Sequence, residues 1–405
     1  MSAASALADD FPALQREGLV YLDSAASAQK PKVVIDAIAD TLAHHYANVH
    51  RGVYPLAVEA TDRFEDSRAR IADWLHSEVD ETVFTKNVTE AINLVAYAWG
   101  RDNVHAGEAI VLSRAEHHSN IVPWQLLCAE VGAQLRYLDL DEEGKISLSQ
   151  LDEHLADGRV RLVAVFHVSN VLGTINPVAE ICERAAAAGA VSLIDGAQAV
   201  PQLPVALDQI GADFYAWTGH KLYGPNGIGV LHGRSELLRR MRPFLGGGNM
   251  IKQVREESST FADAPAKFEA GTGPIAEAVG LAAAVDFVRG IGVETIRAHE
   301  LDLTAYAIER LGEVPGLQIH GPTDAQDRGA LISFSLDGVH PHDVAEILGR
   351  DGVCVRASHH CAQPLMRHLG IAASVRASFA VHNTRADVDR LVESLLSVIE
   401  IFGQA

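Results

Sequence analysis

Lys221 stands in the run Tyr215-Ala-Trp-Thr-Gly-His-Lys-Leu-Tyr-Gly-Pro, straight after an apolar stretch and at the head of a glycine-containing turn. Lysines are usually solvated, but this setting is apolar, and burial disfavours the ammonium and leaves a nucleophilic amine. Asp195, in Leu193-Ile-Asp-Gly-Ala-Gln, ends a second apolar run. A carboxylate there can keep a pyridine nitrogen protonated; taken alone, it reads as a helix cap or turn aspartate. Amine and anion together suit pyridoxal 5′-phosphate (PLP). Its aldehyde needs a lysine, its ring nitrogen an anion, its ring a stacking partner and its phosphate a nest of donors.

The remaining parts of such a site can be sought at corresponding places. Gln198, three residues beyond Asp195, can meet the ring hydroxyl oxygen or sit as a surface glutamine. Asn87-Val-Thr-Glu opens the helical pattern Ala91-Ile-Asn-Leu-Val-Ala-Tyr-Ala-Trp, and a helix start presents N–H groups to phosphate. Thr89 can cap that helix or donate to phosphate, and Thr218 and His220, flanking the lysine, are further phosphate candidates. His117, in Ala115-Glu-His-His-Ser-Asn, follows the Ala109-Ile-Val-Leu run. An imidazole there can stack on the ring and exchange protons with substrate; the plain alternative is a solvated loop histidine.

The elements that position these residues follow from periodicity. Ala109-Ile-Val-Leu, Val160-Arg-Leu-Val-Ala-Val-Phe and Val191-Ser-Leu-Ile lack polar alternation and predict strands buried on both faces. Helical stretches such as 178–189 lie between them, which predicts a mainly parallel α/β sheet with crossovers on both faces. Ligands in such sheets sit at the carboxyl edge, where His117 and Asp195 emerge. From about Gly290 the pattern changes to a long helix over 293–311, shorter segments and a closing amphipathic helix over 385–401. The expected division is an N-terminal segment 1–20 packing with the small domain, a large cofactor-binding domain 21–289 and a smaller α+β domain 290–405. The helix through 276–290 would bridge the two lobes.

Composition narrows the classes. The 405 residues are 48% hydrophobic and 21% charged, enough for a large core in two lobes. A formal net charge of −20 argues against a nucleic-acid or anionic-membrane binder. Met1-Ser-Ala-Ala-Ser-Ala lacks the basic start of a signal peptide, and no apolar run reaches membrane-spanning length. The four cysteines form no C-x-x-C pair or disulfide framework, so a reducing cytoplasm is the expected location.

Tyr21-Leu-Asp-Ser-Ala-Ala-Ser-Ala-Gln-Lys-Pro, Glu116-His-His-Ser-Asn-Ile-Val-Pro-Trp, His167-Val-Ser-Asn-Val-Leu-Gly, Asp195-Gly-Ala-Gln, Gly219-His-Lys-Leu-Tyr-Gly-Pro and His359-His-Cys-Ala-Gln-Pro-Leu together resemble the Suf-type (group II) cysteine desulfurases. The resemblance runs from about Phe11 to the C-terminus. It implies fold-type I PLP architecture, a homodimer, and transfer of sulfur from L-cysteine to an enzyme persulfide with release of L-alanine. Iron–sulfur cluster assembly would be the destination, and selenocysteine lyase activity accompanies this family. It implies Lys221 as covalent anchor, Asp195 at the ring nitrogen, Gln198 at the ring hydroxyl, His117 on the ring, and Thr89, Thr218 and His220 at the phosphate. It also implies Asn170, Arg376 and Arg356 around the substrate carboxylate, and Cys361 as persulfide-forming nucleophile. The family's Gly-Thr-Pro run reads Gly271-Thr272-Gly273-Pro274 here; its threonine reaches the phosphate in the partner subunit, a role that falls to Thr272.

Cys361 lies among polar residues with His359, His360 and Arg356 nearby, whereas Cys128, Cys182 and Cys354 sit in apolar patterns expected in the core. The adjacent pairs His44-His45, His117-His118 and His359-His360 lack the i, i+4 spacing of metal ligands, so no metal site is expected. His340-Pro-His-Asp resembles the segment of desulfurases that hand sulfur to a zinc-bearing, scaffold-like acceptor of the Suf system. That points to His342, against the default of a solvated loop. Three rival readings stay open. Another fold-type I PLP enzyme, an aminotransferase or a lyase on a different amino acid, would not need Cys361. A dinucleotide site at Gly224-Pro-Asn-Gly-Ile-Gly lacks the strand–turn–helix context. A non-catalytic sulfur-trafficking scaffold would be colourless.

Overall fold

A computed structural model of the chain describes residues 7–403; residues 1–6 of the expected N-terminal segment lie outside the described residues. Seven strands form the main sheet: β1 (Thr82–Thr85), β2 (Ala109–Ser113), β3 (Gln134–Leu138), β4 (Val160–Phe166), β5 (Val191–Asp195), β6 (Phe214–Thr218) and β7 (Gly229–Gly233). Their order is β1-β7-β6-β5-β4-β2-β3, parallel throughout except for β7, which runs against both neighbours. The sheet is thus mixed by a single strand, and β2 to β6 end on one edge.

The apolar runs explain its burial. Side chains alternate across the strands, so Val111, Val163, Ile194, Tyr215 and Trp217 enter one core while Ile110, Leu112, Leu162, Leu193 and Phe214 enter the other. Both faces are covered by crossover helices, which is why no polar alternation is visible. Full burial of side chains of this size contributes about 1.5–3 kcal/mol each, relative to leaving them exposed.

The C-terminal part builds its own antiparallel sheet from β8 (Leu317–His320), β9 (Leu331–Leu336), β10 (Arg356–Ser358) and β11 (Ser374–Ser378), in the order β8-β9-β11-β10. Helices Val293–Gly312, Pro341–Arg350 and Arg385–Gly403 cover it through a separate core that includes Leu303, Phe334, Val344 and Leu391. Helix Ile275–Ile291 packs along Lys32–His44 and Pro55–Trp74, and Gly292, at φ +90°, turns the chain into Val293–Gly312.

The segment before Val20 touches more than one part. Phe11 lies 5.9 Å from the Tyr223 ring and 5.8 Å from Phe287, and 5.1 Å from His382. Val20–Tyr21 then pairs in parallel with Val353–Cys354, and Asp23 bridges to Ser378. Strands more than 300 residues apart are therefore joined beside the site.

Two sequence expectations need correction. Cys128 and Cys182 are buried, but Cys354 is only half-buried, because its two-residue strand lies at the margin of the small core. His342 lies in no loop: it is in the first turn of helix Pro341–Arg350, where the His340 ring nitrogen accepts its backbone N–H at 3.3 Å.

Candidate active site

Asp195 is the last residue of β5, 6% exposed, and its carboxylate accepts the N–H of Ala197 at 3.0 Å. Burial pushes its pKa up, while that N–H and the nearby Lys221 pull it down. The following residue must be glycine: a Cβ on Gly196 would lie 2.0 Å from the Tyr215 ring. Tyr215, on β6, hydrogen-bonds His167 Nδ1 at 2.9 Å, so the Asp195 turn rests on a buried Tyr–His pair.

Lys221 closes the short helical turn Gly219–Lys221 that follows β6. Burial lowers its pKa to about 8; Asp195 opposes the shift, and Arg376 and Arg356 add to it. About half of the amine is therefore neutral near pH 8, and the neutral form is the state a carbonyl-binding lysine requires.

His117 precedes the turn His118–Asn120, and its Nδ1 accepts the N–H of Ser119 at 3.1 Å. That contact assigns the proton to Nε2. Burial, then the charge of Lys221, pushes the ring's pKa down to about 3, so it is a neutral imidazole. The Ser119 hydroxyl also meets Thr89 Oγ1 at 2.7 Å, which joins the His117 turn to helix Val88–Val95. Asn87 is that helix's cap, accepting the Glu90 N–H at 3.0 Å, so Thr89 does not serve as the cap and its hydroxyl turns to Ser119. Gly229 of β7 permits this closeness, since a Cβ there would lie 2.6 Å from the Asn87 backbone.

The other cofactor candidates divide. Thr218 Oγ1 is buried without a hydrogen-bond partner, a deficit an incoming oxygen would relieve. His220 Nδ1 lies 3.3 Å from Ser27 Oγ. Gln198 donates its amide to the Ala25 carbonyl at 2.8 Å, a buried tie to the Asp23–Ser24–Ala25 turn. Thr272 lies apart: it lines a depression of about 160 Å³ with Asn48, Arg51, Gly248 and Asn249, and donates to Asn48 at 3.4 Å. None of the other candidate residues lines that depression.

Cys361 arrives from the small lobe, between β10 and helix Gln363–Leu369. His360 and Cys361 have φ of +50° and +55°, which costs a non-glycine residue of order 1 kcal/mol. Three contacts tie the turn to His118 and Asn170. The His118 N–H donates to the Cys361 carbonyl at 2.7 Å, Gln363 N–H donates to His118 Nε2 at 3.1 Å, and Asn170 Nδ2 donates to the His360 carbonyl at 2.7 Å.

Arg376, on β11, is buried and paired in register with Arg356 of β10. Its Nη1 donates to the Asn170 carbonyl at 2.7 Å, and its Nη2 meets Asp23 at 3.3 Å. Its Nε has no partner, and burial, with the Arg356 charge adding to it, lowers its pKa to about 10 even beside Asp23. A fork so under-used has donors to spare for a carboxylate.

The residues present suit PLP. Lys221, Asp195 and His117 converge on one sheet edge, and Thr218 offers an unsatisfied hydroxyl. Sequence reasoning gave no role to Asp23, which meets Arg376 across 353 residues, or to His118, whose contacts with the cysteine turn are tertiary. It also gave none to Glu116, whose only signal was its place beside His117.

Comparisons with known proteins agree in kind. Residues 20–391 match the family Aminotransferase class-V. The chain is 49% identical to a probable cysteine desulfurase from Streptomyces coelicolor, over 98% of this chain and 97% of that one. It is 45% identical to a cysteine desulfurase from Haloferax volcanii, over 98% and 97%. Among solved structures, a cysteine desulfurase from Thermococcus onnurineus superposes with a TM-score of 0.94 at 37% identity, covering 98% of each chain. The Escherichia coli cysteine desulfurase CsdA, in S-sulfonic acid form, gives 0.91 at 38% identity, also over 98% of each.

Proposed function

The chain belongs to the class-V aminotransferase family, and we propose that it is a PLP-dependent cysteine desulfurase that moves sulfur from L-cysteine onto Cys361 and releases L-alanine. The observation that carries this reading is the Cys361 turn held against His118, beside the turn that carries His117. An aminotransferase has no use for a cysteine there.

Lys221 would hold the cofactor covalently, with Asp195 at its ring nitrogen, His117 on its face, Gln198 near its hydroxyl, and Thr218, His220 and Thr89 at its phosphate. Bound there, PLP would supply an electron sink for the carbon atoms of the substrate. Lys221, with a pKa of about 8, can take and return a proton at the substrate Cα. Arg376, with Asn170 and Arg356 alongside, orients the substrate carboxylate. His117 carries its proton on Nε2 and can donate a hydrogen bond from there to bound substrate.

Cys361 is the nucleophile. Its thiolate bonds to the substrate sulfur as the Cβ–S bond breaks, and the electron pair of that bond stays on carbon. Protonation of that carbon completes the methyl group of alanine, so no outside oxidant or reductant is needed. The strained turn and its three hydrogen bonds to His118 and Asn170 hold the thiol at the site while leaving it half-buried and reachable from outside.

The sulfur then passes to an acceptor protein of the Suf system for iron–sulfur cluster assembly. The exposed His342, at a helix start, is the candidate contact for a zinc-bearing acceptor. Selenocysteine is a second substrate. The protein works as a homodimer in which Thr272 serves the cofactor phosphate of the partner subunit. All four cysteines are free, which supports a cytoplasmic location, and no helix among the described residues is long and apolar enough to cross a membrane. The test is alanine and sulfide release from L-cysteine: Cys361→Ser should bind cysteine and stop sulfide output. Unchanged sulfide output would transfer the role elsewhere.

A further inference from the structure

Glu116 is fully buried three residues after β2, one residue before His117. Its carboxyl touches three separate elements. Ser113 Oγ, on β2, lies 2.5 Å from Oε1, and the Phe166 N–H, at the end of β4, donates to the same oxygen at 3.2 Å. Asn120, in the turn that follows His117, donates to Oε2 at 2.8 Å. Asn120 is held in turn by Trp124, whose Nε1 donates to its Oδ1 at 2.9 Å.

From this geometry we propose that Glu116 is a positioning residue for the reaction: it clamps the turn bearing His117 to the ends of β2 and β4 and so fixes the face that the His117 ring turns toward Lys221. This rests on the reading of His117 as the residue that stacks on the cofactor. Without the clamp, the turn keeps only its ties through Ser119 to Thr89 and through His118 to the Cys361 turn, neither of which reaches β2 or β4. A carboxyl is needed, because all its oxygen atoms meet donors or a hydroxyl. Burial, with Asp195 adding to it, pushes the Glu116 pKa up to about 8. At neutral pH it therefore adds little negative charge beside Asp195, the anion meant for the cofactor nitrogen. Phe166 pairs in register with Asp195, so the clamp and that anion share one sheet edge.

The deciding variant is Glu116→Gln. It keeps the volume, but a Gln oxygen facing Phe166 sets an NH2 against that of Asn120, and Asn120 cannot turn without releasing Trp124. Three readouts apply: visible circular dichroism of bound PLP, the His117 imidazole signal in isotope-labelled cofactor-free protein (assigned by its loss in His117→Ala), and kcat and KM for cysteine. Expected are a weakened visible dichroism, a displaced His117 signal, kcat lower by about 10-fold and KM within about threefold, since misplacement by a fraction of an ångström acts on the reacting geometry. Asn120→Ala cuts the same tie from its other end and should give the same signature, with no further loss in the double variant. Should Glu116→Gln fail to fold, Asn120→Ala decides by the same readouts. Wild-type dichroism, His117 signal and kcat in the deciding variant would overturn the inference. His117→Ala is the reference: if it leaves the dichroism and kcat unchanged, the reading of the site fails and the inference with it.

Discussion

The carbonyl of Cys361 accepts the backbone N–H of His118 at 2.7 Å, so the turn that carries Cys361 hangs on the turn that carries His117. His118 follows a residue at φ −62°, ψ 146°, an extended conformation compatible with a following proline. His118→Pro should therefore remove the donor without displacing His117. The variant also removes the ring that accepts the Gln363 N–H, so two hydrogen bonds of about 1 kcal/mol each are lost, which predicts roughly 30-fold slower persulfide formation with unchanged PLP uptake. Rapid-quench measurement of sulfur on Cys361 checks this, and an unchanged rate would mean the two bonds do not hold the nucleophile in place.

Arg376→Lys keeps the charge but loses the planar fork. Loss of its free donors should raise the KM for cysteine at least about 10-fold, with a smaller change in kcat. Steady-state kinetics decide it; a wild-type KM would remove Arg376 from carboxylate binding.

Lys221 predicts a pH effect on the cofactor-free fold. Its folded pKa, about 8, lies below the ordinary 10.5, so burial of the charged form destabilises the fold. Below pH 8 the penalty is complete, about 3 kcal/mol, and it fades as pH rises from 8 toward the unfolded value. Lys221→Met should thus be the more stable protein at pH 7 by about that amount. Its advantage should shrink to about 1–2 kcal/mol at pH 9.5. Urea unfolding at both pH values measures it, and an advantage independent of pH would contradict the buried amine.

Gly196→Ala should damage the cofactor site without touching any proposed cofactor ligand. The added methyl meets the Tyr215 ring and must displace either the ring or the Asp195 turn. The expected result is weaker PLP binding by about 10-fold or more, together with a loss of stability of about 1–3 kcal/mol. Fluorescence titration of the cofactor-free variant reads the first, and wild-type affinity would show that the turn has slack.

The main sheet was legible because β2, β4 and β5 are short, predominantly apolar runs without sustained polar alternation, the pattern of strands buried on both faces. Asp195 and His117 followed from it, since residues after such runs emerge at the ligand-binding edge. The antiparallel β7 was not legible: Gly229–Gly233 carries a histidine between two glycines, and its direction is set by the return from β6 through residues 219–228, which local sequence does not encode. Thr89 looked like a cap because it sits at a helix start; Asn87, two residues earlier, has the extended backbone a cap needs and takes that place. The ties of Arg376 to Asp23 and Asn170 span 353 and 206 residues, and no local pattern reports contacts of that separation. The left-handed Cys361 turn was hidden for a further reason: it contains no glycine to announce it.

The central claim is that Cys361 receives the sulfur that leaves L-cysteine. The most direct test mixes the PLP-loaded protein with one equivalent of L-cysteine, quenches it within a turnover, and compares the mass of the Cys361 peptide with the alanine formed. A gain of one sulfur atom on Cys361, equal to the alanine and absent in Cys361→Ser, is the predicted result. Alanine formed with no added sulfur on that peptide, or sulfur on Cys128, Cys182 or Cys354 instead, would contradict it.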